Sequence, residues 1–308
     1  MPNQTLKRAF KKALAPWFYG REVYKSTSPF NRIRVVDKRG YRFLIFDDPS
    51  FHGKYPEEIF QGCLSLRDPV NTRCPYADFF HFAFTLRPAV KSVFMVGLGS
   101  GLIPLQFLHR YPLEEFHAAE IDPRVVEVAD RYFSLPRDPR LKVFLKEGRA
   151  FLERESRSYD LIILDAFFAR ALPFPLFTRQ FFRLVKERLA REGLFSLNVN
   201  GALTGDKSRL FRTLYRTLKE EFPSLCAFAH RPESLREVQN IVIFAAPEGD
   251  LTAEISGLRN SGLQDLSGTL AHLIPREVPV EGLQPFDDGQ GLETLDLYDF
   301  TTQGEVKE

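Results

Sequence analysis

The chain has 308 residues, a formal charge of +2 and 44% hydrophobic residues, enough apolar material for one large domain or for a domain with a smaller companion. A charge so near zero leaves no global footprint for nucleic acid, no apolar run approaches the length of a membrane span, and the N-terminus lacks a signal-peptide core. Cys63, Cys74 and Cys226 stand at no metal-ligand spacing and, without a secretory signal, indicate a reducing, cytoplasmic compartment.

Residues 1–23 form a basic segment, with Lys7, Arg8, Lys11 and Lys12 ahead of Trp17, Phe18 and Tyr19. The cluster is short, so a solvated helix packing its rings on the body is expected before a membrane or nucleic-acid contact. Residues 24–75 read as a small antiparallel β module. Ile33–Asp37 and Tyr41–Phe46 are strand-like, the turn Lys38-Arg39-Gly40 joins them, and a weaker strand covers Ile59–Leu66. Tyr76–Leu86 is a predicted helix, ended before Pro88.

Residues 76–246 carry an alternation of strands and helices. Val93–Val96 is a short apolar run, as for a strand buried on both faces. Gly97, Gly99 and Gly101 follow it, then helical spacing over Leu102–Arg110, then a strand over Phe116–Ala119 that ends in Glu120 and Asp122. Helices are predicted over Pro123–Tyr132, Gly148–Arg154, Thr178–Arg191 and Asp206–Glu221. Strands are predicted over Leu141–Lys146, Tyr159–Asp165, Gly193–Asn200, Leu225–His230 and Gln239–Ala246, the last two close enough to pair antiparallel. Such alternation implies a mainly parallel sheet covered on both faces. Residues 247–308 are an extension with predicted helices over Leu251–Leu263 and Leu266–Ile274, and then a loop-like acidic run over Leu283–Asp299.

The glycine turn between strand and helix, with an acid at the end of the next strand, points to a nucleoside site. A tight structural turn and a dinucleotide site are the competing explanations. No lysine follows in the manner of a triphosphate-binding loop. Glu120 is placed to accept hydrogen bonds from both ribose hydroxyls, with Asp122 in support. Glu147, at the end of the third strand and next to Gly148, suits either an adenine amine or the start of a helix. Asp165 ends the most apolar strand, which should leave it at the ligand edge with a raised pKa, able to orient an amine and take its proton. His81 and His109 lie on predicted helices with no second ligand at metal spacing, so no metal is expected.

The ordered set VGLGSG, EIDP, EGRAFL, YDLIILDAF and LFTRQFF resembles the polyamine aminopropyltransferase (spermidine synthase) family. The resemblance runs from about Tyr24 to Ala246. It implies a Rossmann-like class I methyltransferase fold, with a mostly parallel seven-stranded sheet behind a small N-terminal antiparallel β module. It also implies a donor substrate, S-adenosylmethionine or its decarboxylated form, a small amine as acceptor, no nucleic-acid or membrane partner, and a homodimer formed through the N-terminal module. By that resemblance Gly97, Gly99, Gly101 and Gly148 shape the nucleoside pocket, Glu120 holds the ribose and Glu147 the adenine. Gln61 reaches the nucleoside or its thioether end, Tyr76 and Ser100 face the substrate, and Asp165 is the catalytic acid.

The chain departs from the family pattern at three places. Ser100 stands for an aspartate in the glycine turn, Ala77-Asp78 follows Tyr76, and Phe168 stands for a second acid after Asp165. A polycation needs several carboxylates to replace its lost hydration. Phe167, Phe168, Phe174 and Phe177 could instead line an apolar acceptor pocket, and Asp287 and Asp288 could fold back to supply acid. Aminopropyl transfer to an amine is the family reaction. Methyl transfer to a small or apolar acceptor and a non-catalytic nucleoside-binding module are the alternatives, which fold alone does not separate.

Overall fold

The computed structural model describes residues 20–47, 60–167, 173–260, 267–274 and 278–290. Most of the basic segment 1–23, Phe168 and the end of the acidic run lie outside the described residues.

Two sheets organise the chain. The smaller has the order β1-β2-β3-β4, formed by Arg21–Thr27, Arg32–Lys38, Tyr41–Phe46 and Phe60–Ser65, all antiparallel. The hairpin appears where Lys38-Arg39-Gly40 predicts it, with Arg39 and Gly40 both at positive φ. Strand β1 is polar and largely exposed. It has no apolar alternation over its whole length, and is held by its ladder to β2 and by Val23 and Tyr24, which pack on the core, Tyr24 at 5.1 Å from the ring of Tyr132.

The larger sheet has the order β7-β6-β5-β8-β9-β11-β10, from Leu141–Leu145, Glu115–Glu120, Ser92–Val96, Tyr159–Leu164, Leu189–Gly201, Gln239–Ala246 and Ser224–Ala229. The first five of these lie parallel to one another; β11 runs antiparallel to both β9 and β10. Along β5, Val93 and Met95 face one core while Phe94 and Val96 face the other. Along β8, Leu161 and Ile163 alternate with Ile162 and Leu164 in the same way. This is why both strands read as unbroken apolar runs: each face is covered. Burying one such side chain contributes roughly 1.5–3 kcal/mol.

The helices are α1 Pro75–Phe80, α2 Ala83–Leu86, α3 Leu102–Arg110, α4 Pro123–Tyr132, α5 Gly148–Arg154, α6 Arg179–Glu187, α7 Arg209–Glu221, α8 Leu251–Asn260 and α9 Ser267–Leu270. The single helix expected over Tyr76–Leu86 is divided between α1 and α2. Between them His81 and Phe82 follow i→i−3 bonds, from His81 N to Asp78 O and from Phe82 N to Phe79 O, which tighten the path. The side chain of Thr178 caps α6, accepting from Phe181 N at 3.3 Å. Of the described residues in the predicted Leu266–Ile274 helix, Ser267–Leu270 are helical. No helix among the described residues is long and apolar enough to cross a membrane.

The chain leaves β5 through α3 toward β6 and later returns to β8 on the opposite side of β5. The carboxyl ends of β5 and β8 therefore flank a topological switch point, where open α/β sheets form a crevice.

Candidate functional site

The crevice is a cavity of about 710 Å³. Gly97, the first residue past β5, has φ +91°, and a Cβ there would collide with the backbone carbonyl of Asp165 at the end of β8. Glycine thus lets the two strand ends close on each other. A Cβ on Gly148 would likewise strike Val96, so α5 begins hard against β5. Gly99 and Ser100 also line the cavity, but Gly101 does not. Gly101 caps α3 at positive φ and faces Leu135, so its expected place in the pocket wall gives way to a packing role.

Glu120 is 8% exposed. Its Oε2 accepts from Leu98 N and its Oε1 from Asp122 N, both at 2.9 Å. Burial pushes the carboxyl upward, while the amides of Asp122 and Leu98 hold it down. The glycine turn and the ribose candidate are thereby one rigid unit. Asp122 points elsewhere. Fully buried, it accepts from Ser28 Oγ at 2.5 Å, Asn31 Nδ2 at 3.1 Å and Arg124 N at 2.9 Å. It caps α4 and ties the β1–β2 loop to the large sheet, which replaces the expected support for the ribose.

Glu147 caps α5, accepting from Arg149 N at 2.9 Å and Ala150 N at 2.7 Å, and it also lines the cavity. The two readings of this residue, helix start and pocket wall, are thus compatible. Gln61 enters from β4 and Tyr76 from α1, and both line the cavity; the Tyr76 hydroxyl donates to the Gln61 carbonyl at 3.4 Å. Ser100 is 4% exposed, and a Cβ on Gly62 would collide with its hydroxyl. Strand β4 therefore lies directly against the glycine turn.

Asp165 lines the cavity from the end of β8, the central strand of the large sheet. Its Oδ1 accepts from Asn198 Nδ2 at 3.1 Å. Burial raises its pKa to about 6, against the lowering effect of that bond. The same amide nitrogen of Asn198 donates to Asn240 Oδ1 at 3.1 Å. Asn198 escapes a motif search because it sits in the ordinary strand β9; the signal available was the alternation Leu197-Asn198-Val199-Asn200 at a strand's carboxyl end. Beyond it the cavity is lined by Lys207, His230, Arg231, Glu237 and Gln239, none of them singled out from the sequence.

Two further expectations fail. Phe167 lines the cavity, but Phe174 and Phe177 do not; they are buried under α6, with Phe174 edge-on to Phe286 at 5.4 Å. Asp287 and Asp288 supply no acid to the cavity. Asp288 takes Arg149 at 2.8 and 2.6 Å and Thr178 Oγ1 at 2.6 Å, and Asp287 takes Arg179 and Gln180, each at 2.8 Å. They clamp the C-terminal segment onto α5 and α6. Among the described residues no group of three His, Cys, Asp or Glu is placed to hold a metal ion.

The family model described as spermine/spermidine synthase domain matches residues 76–244. A polyamine aminopropyltransferase from Vibrio vulnificus is 28% identical over 211 residues, covering 66% of this chain and 68% of the relative. A probable spermidine synthase from Corynebacterium glutamicum superposes with a TM-score of 0.69 at 17% identity, over 87% of this chain and 97% of that one. Human methyltransferase-like protein 13, solved in complex with SAH, superposes with a TM-score of 0.50 at 25% identity, over 72% of this chain and 99% of that one. The likeness in fold thus extends to methyltransferases.

Proposed function

The chain belongs to the spermine/spermidine synthase family, and from that premise we propose that it transfers an aminopropyl group from decarboxylated S-adenosylmethionine to a small amine. The observation that carries this reading is Asp165. It stands at the switch point with a pKa of about 6, in the same cavity as the glycine turn and Glu120.

The sulfonium of the donor is an activated leaving group, so the protein has to align two reactants and manage one proton. Glu120, fixed by two backbone amides, accepts the ribose hydroxyls. Glu147 and the start of α5 border the adenine. Asp165, oriented by Asn198, accepts an N–H of the attacking amine. The C–N bond forms, the C–S bond breaks with its electron pair returning to sulfur, and the surplus proton passes to Asp165. A carboxylate on the arm that carries the transferred carbons would approach Asp165, which favours the decarboxylated form.

Calorimetry with S-adenosylmethionine, its decarboxylated form and methylthioadenosine tests this directly. Tighter binding of the decarboxylated donor, with an aminopropylated amine found by mass spectrometry, is expected. Preference for the carboxylated donor with a methylated product would overturn it.

A further inference from the structure

The cavity changes sign along its length. Its donor end carries Glu120 and Glu147, with Asp165 at the end of the central strand β8. Past Asp165 the lining charges are Lys207, Arg231 and Glu237, and Glu237 is already bonded to Arg231 at 3.1 Å. Among the described lining residues no unpaired carboxylate is therefore left beyond Asp165 for a second ammonium. Lys207 is exposed on the turn after β9, and Arg231 is exposed just after β10. Both strand ends lie on the same edge of the sheet, since Ala229 pairs with Ile241 and Gly201 with Gln239.

Two buried polar atoms at this end have no hydrogen-bond partner in the described structure, Asn198 Oδ1 and His230 Nδ1. Asn198 is 2% exposed. A buried unsatisfied atom is costly and calls for a ligand. A primary amine has two hydrogens to place, and Asp165 and Asn198 Oδ1 are two adjacent acceptors. Burial, and then Arg231, lower the pKa of His230. Its imidazole can then offer one N–H to an oxygen.

We propose that the acceptor is an amino carboxylate, with its amine at Asp165 and Asn198 and its carboxylate toward Lys207, Arg231 and His230, and not a diamine. The proposal rests on the aminopropyl-transfer reading above. The attacking neutral amine forms the new C–N bond as the C–S bond breaks; sulfur leaves as a neutral thioether, the nitrogen's surplus proton goes to Asp165, and the carboxylate takes no part. A diamine's far ammonium would instead face Lys207 and the Arg231–Glu237 pair, a lining of net positive charge, at a cost in both attraction and hydration.

The pair 4-aminobutyrate and 1,4-diaminobutane isolates the difference, because the chain length is kept and one ammonium becomes a carboxylate. Full-length protein is first titrated with methylthioadenosine alone; failure there overturns the nucleoside reading and the present one with it. With methylthioadenosine bound, 4-aminobutyrate is expected to bind at least about tenfold more tightly than the diamine, and turnover with the decarboxylated donor should follow the same order. The double variant Lys207→Glu, Arg231→Glu changes two exposed side chains. It should keep its affinity for methylthioadenosine and reverse the preference by about tenfold. Equal affinity for both acceptors, diamine preference in the wild type, or a preference indifferent to the charge reversal would each overturn the proposal while leaving aminopropyl transfer standing.

Discussion

The two ends of the cavity are held in place by different means. At the proposed donor end the acids are fixed by backbone: Glu120 by the amides of Leu98 and Asp122, Glu147 by those of Arg149 and Ala150. At the acceptor end the groups are fixed by one another: Asn198 bonds Asp165 and Asn240, and Arg231 bonds Glu237. Backbone amides at a strand end or helix start are already in position and cost no side-chain entropy, so the donor end is rigid by construction. Side-chain bonds can be exchanged without disturbing the sheet.

The sharpest test of that contrast is Asp165→Asn, which should lower turnover by roughly 10²–10⁴ and leave methylthioadenosine affinity unchanged by calorimetry. It should also stabilise the protein. The folded pKa of Asp165, about 6, lies above its ordinary value of 3.8, so the folded state resists ionisation. This lowers stability as pH rises from about 4 to about 6, by up to about 3 kcal/mol. The variant should accordingly melt higher than wild type at pH 7 and lose that advantage near pH 4. A lower melting temperature at pH 7 would contradict the burial argument. The wild-type rate should rise with pH through about 6, as the base deprotonates.

Glu120→Gln acts at the other end. It replaces charge-assisted hydrogen bonds, worth about 1.5–3 kcal/mol each, and should weaken donor binding by about tenfold to a hundredfold. Acceptor affinity in a donor-saturated enzyme should not change; a change would show that the two ends are not independent. Asn198→Ala removes the bond that lowers the Asp165 pKa. The acid limb of the pH–rate profile should move upward and turnover should fall by about tenfold, with donor affinity intact. A merely structural asparagine would leave the limb where it was.

The smallest effect is expected outside both ends. Asp288→Ala breaks the clamp on Arg149 and Thr178. Because the pair is partly exposed, it should cost about 1 kcal/mol or less in denaturant unfolding and leave the rate unchanged. A marked loss of activity would mean that the C-terminal segment reaches the cavity after all.

Legibility in the sequence followed the same division. Glu120, Glu147 and Asp165 could be picked out because each ends a strand beside a recognisable turn or helix start. Strand β1 could not, since a polar edge strand owes its existence to its neighbour's ladder. The division of α1 from α2 was equally hidden: it follows the packing of His81 against Tyr111 and Gln106, at 2.8 and 2.9 Å. Phe174 and Phe177 were misplaced because an aromatic residue in a loop has the same composition whether it lines a cavity or fills a core.

By itself the sequence determined the alternation of strands and helices from Ser92 to Ala246, the parallel sheet, and which acids end its strands. Those features show in periodicity and in short spacings, such as Glu147 with Arg149 and Ala150 or Glu120 with Asp122. Only the tertiary structure decided that Asn198 orients Asp165, that Asp122 and Asp288 are fasteners, and that Lys207 and Arg231 share a wall with the catalytic candidate. Each of those depends on segments distant in sequence arriving side by side. A hydrogen bond spanning 33 or 42 residues leaves no local pattern, because chain folding alone sets which side chains meet.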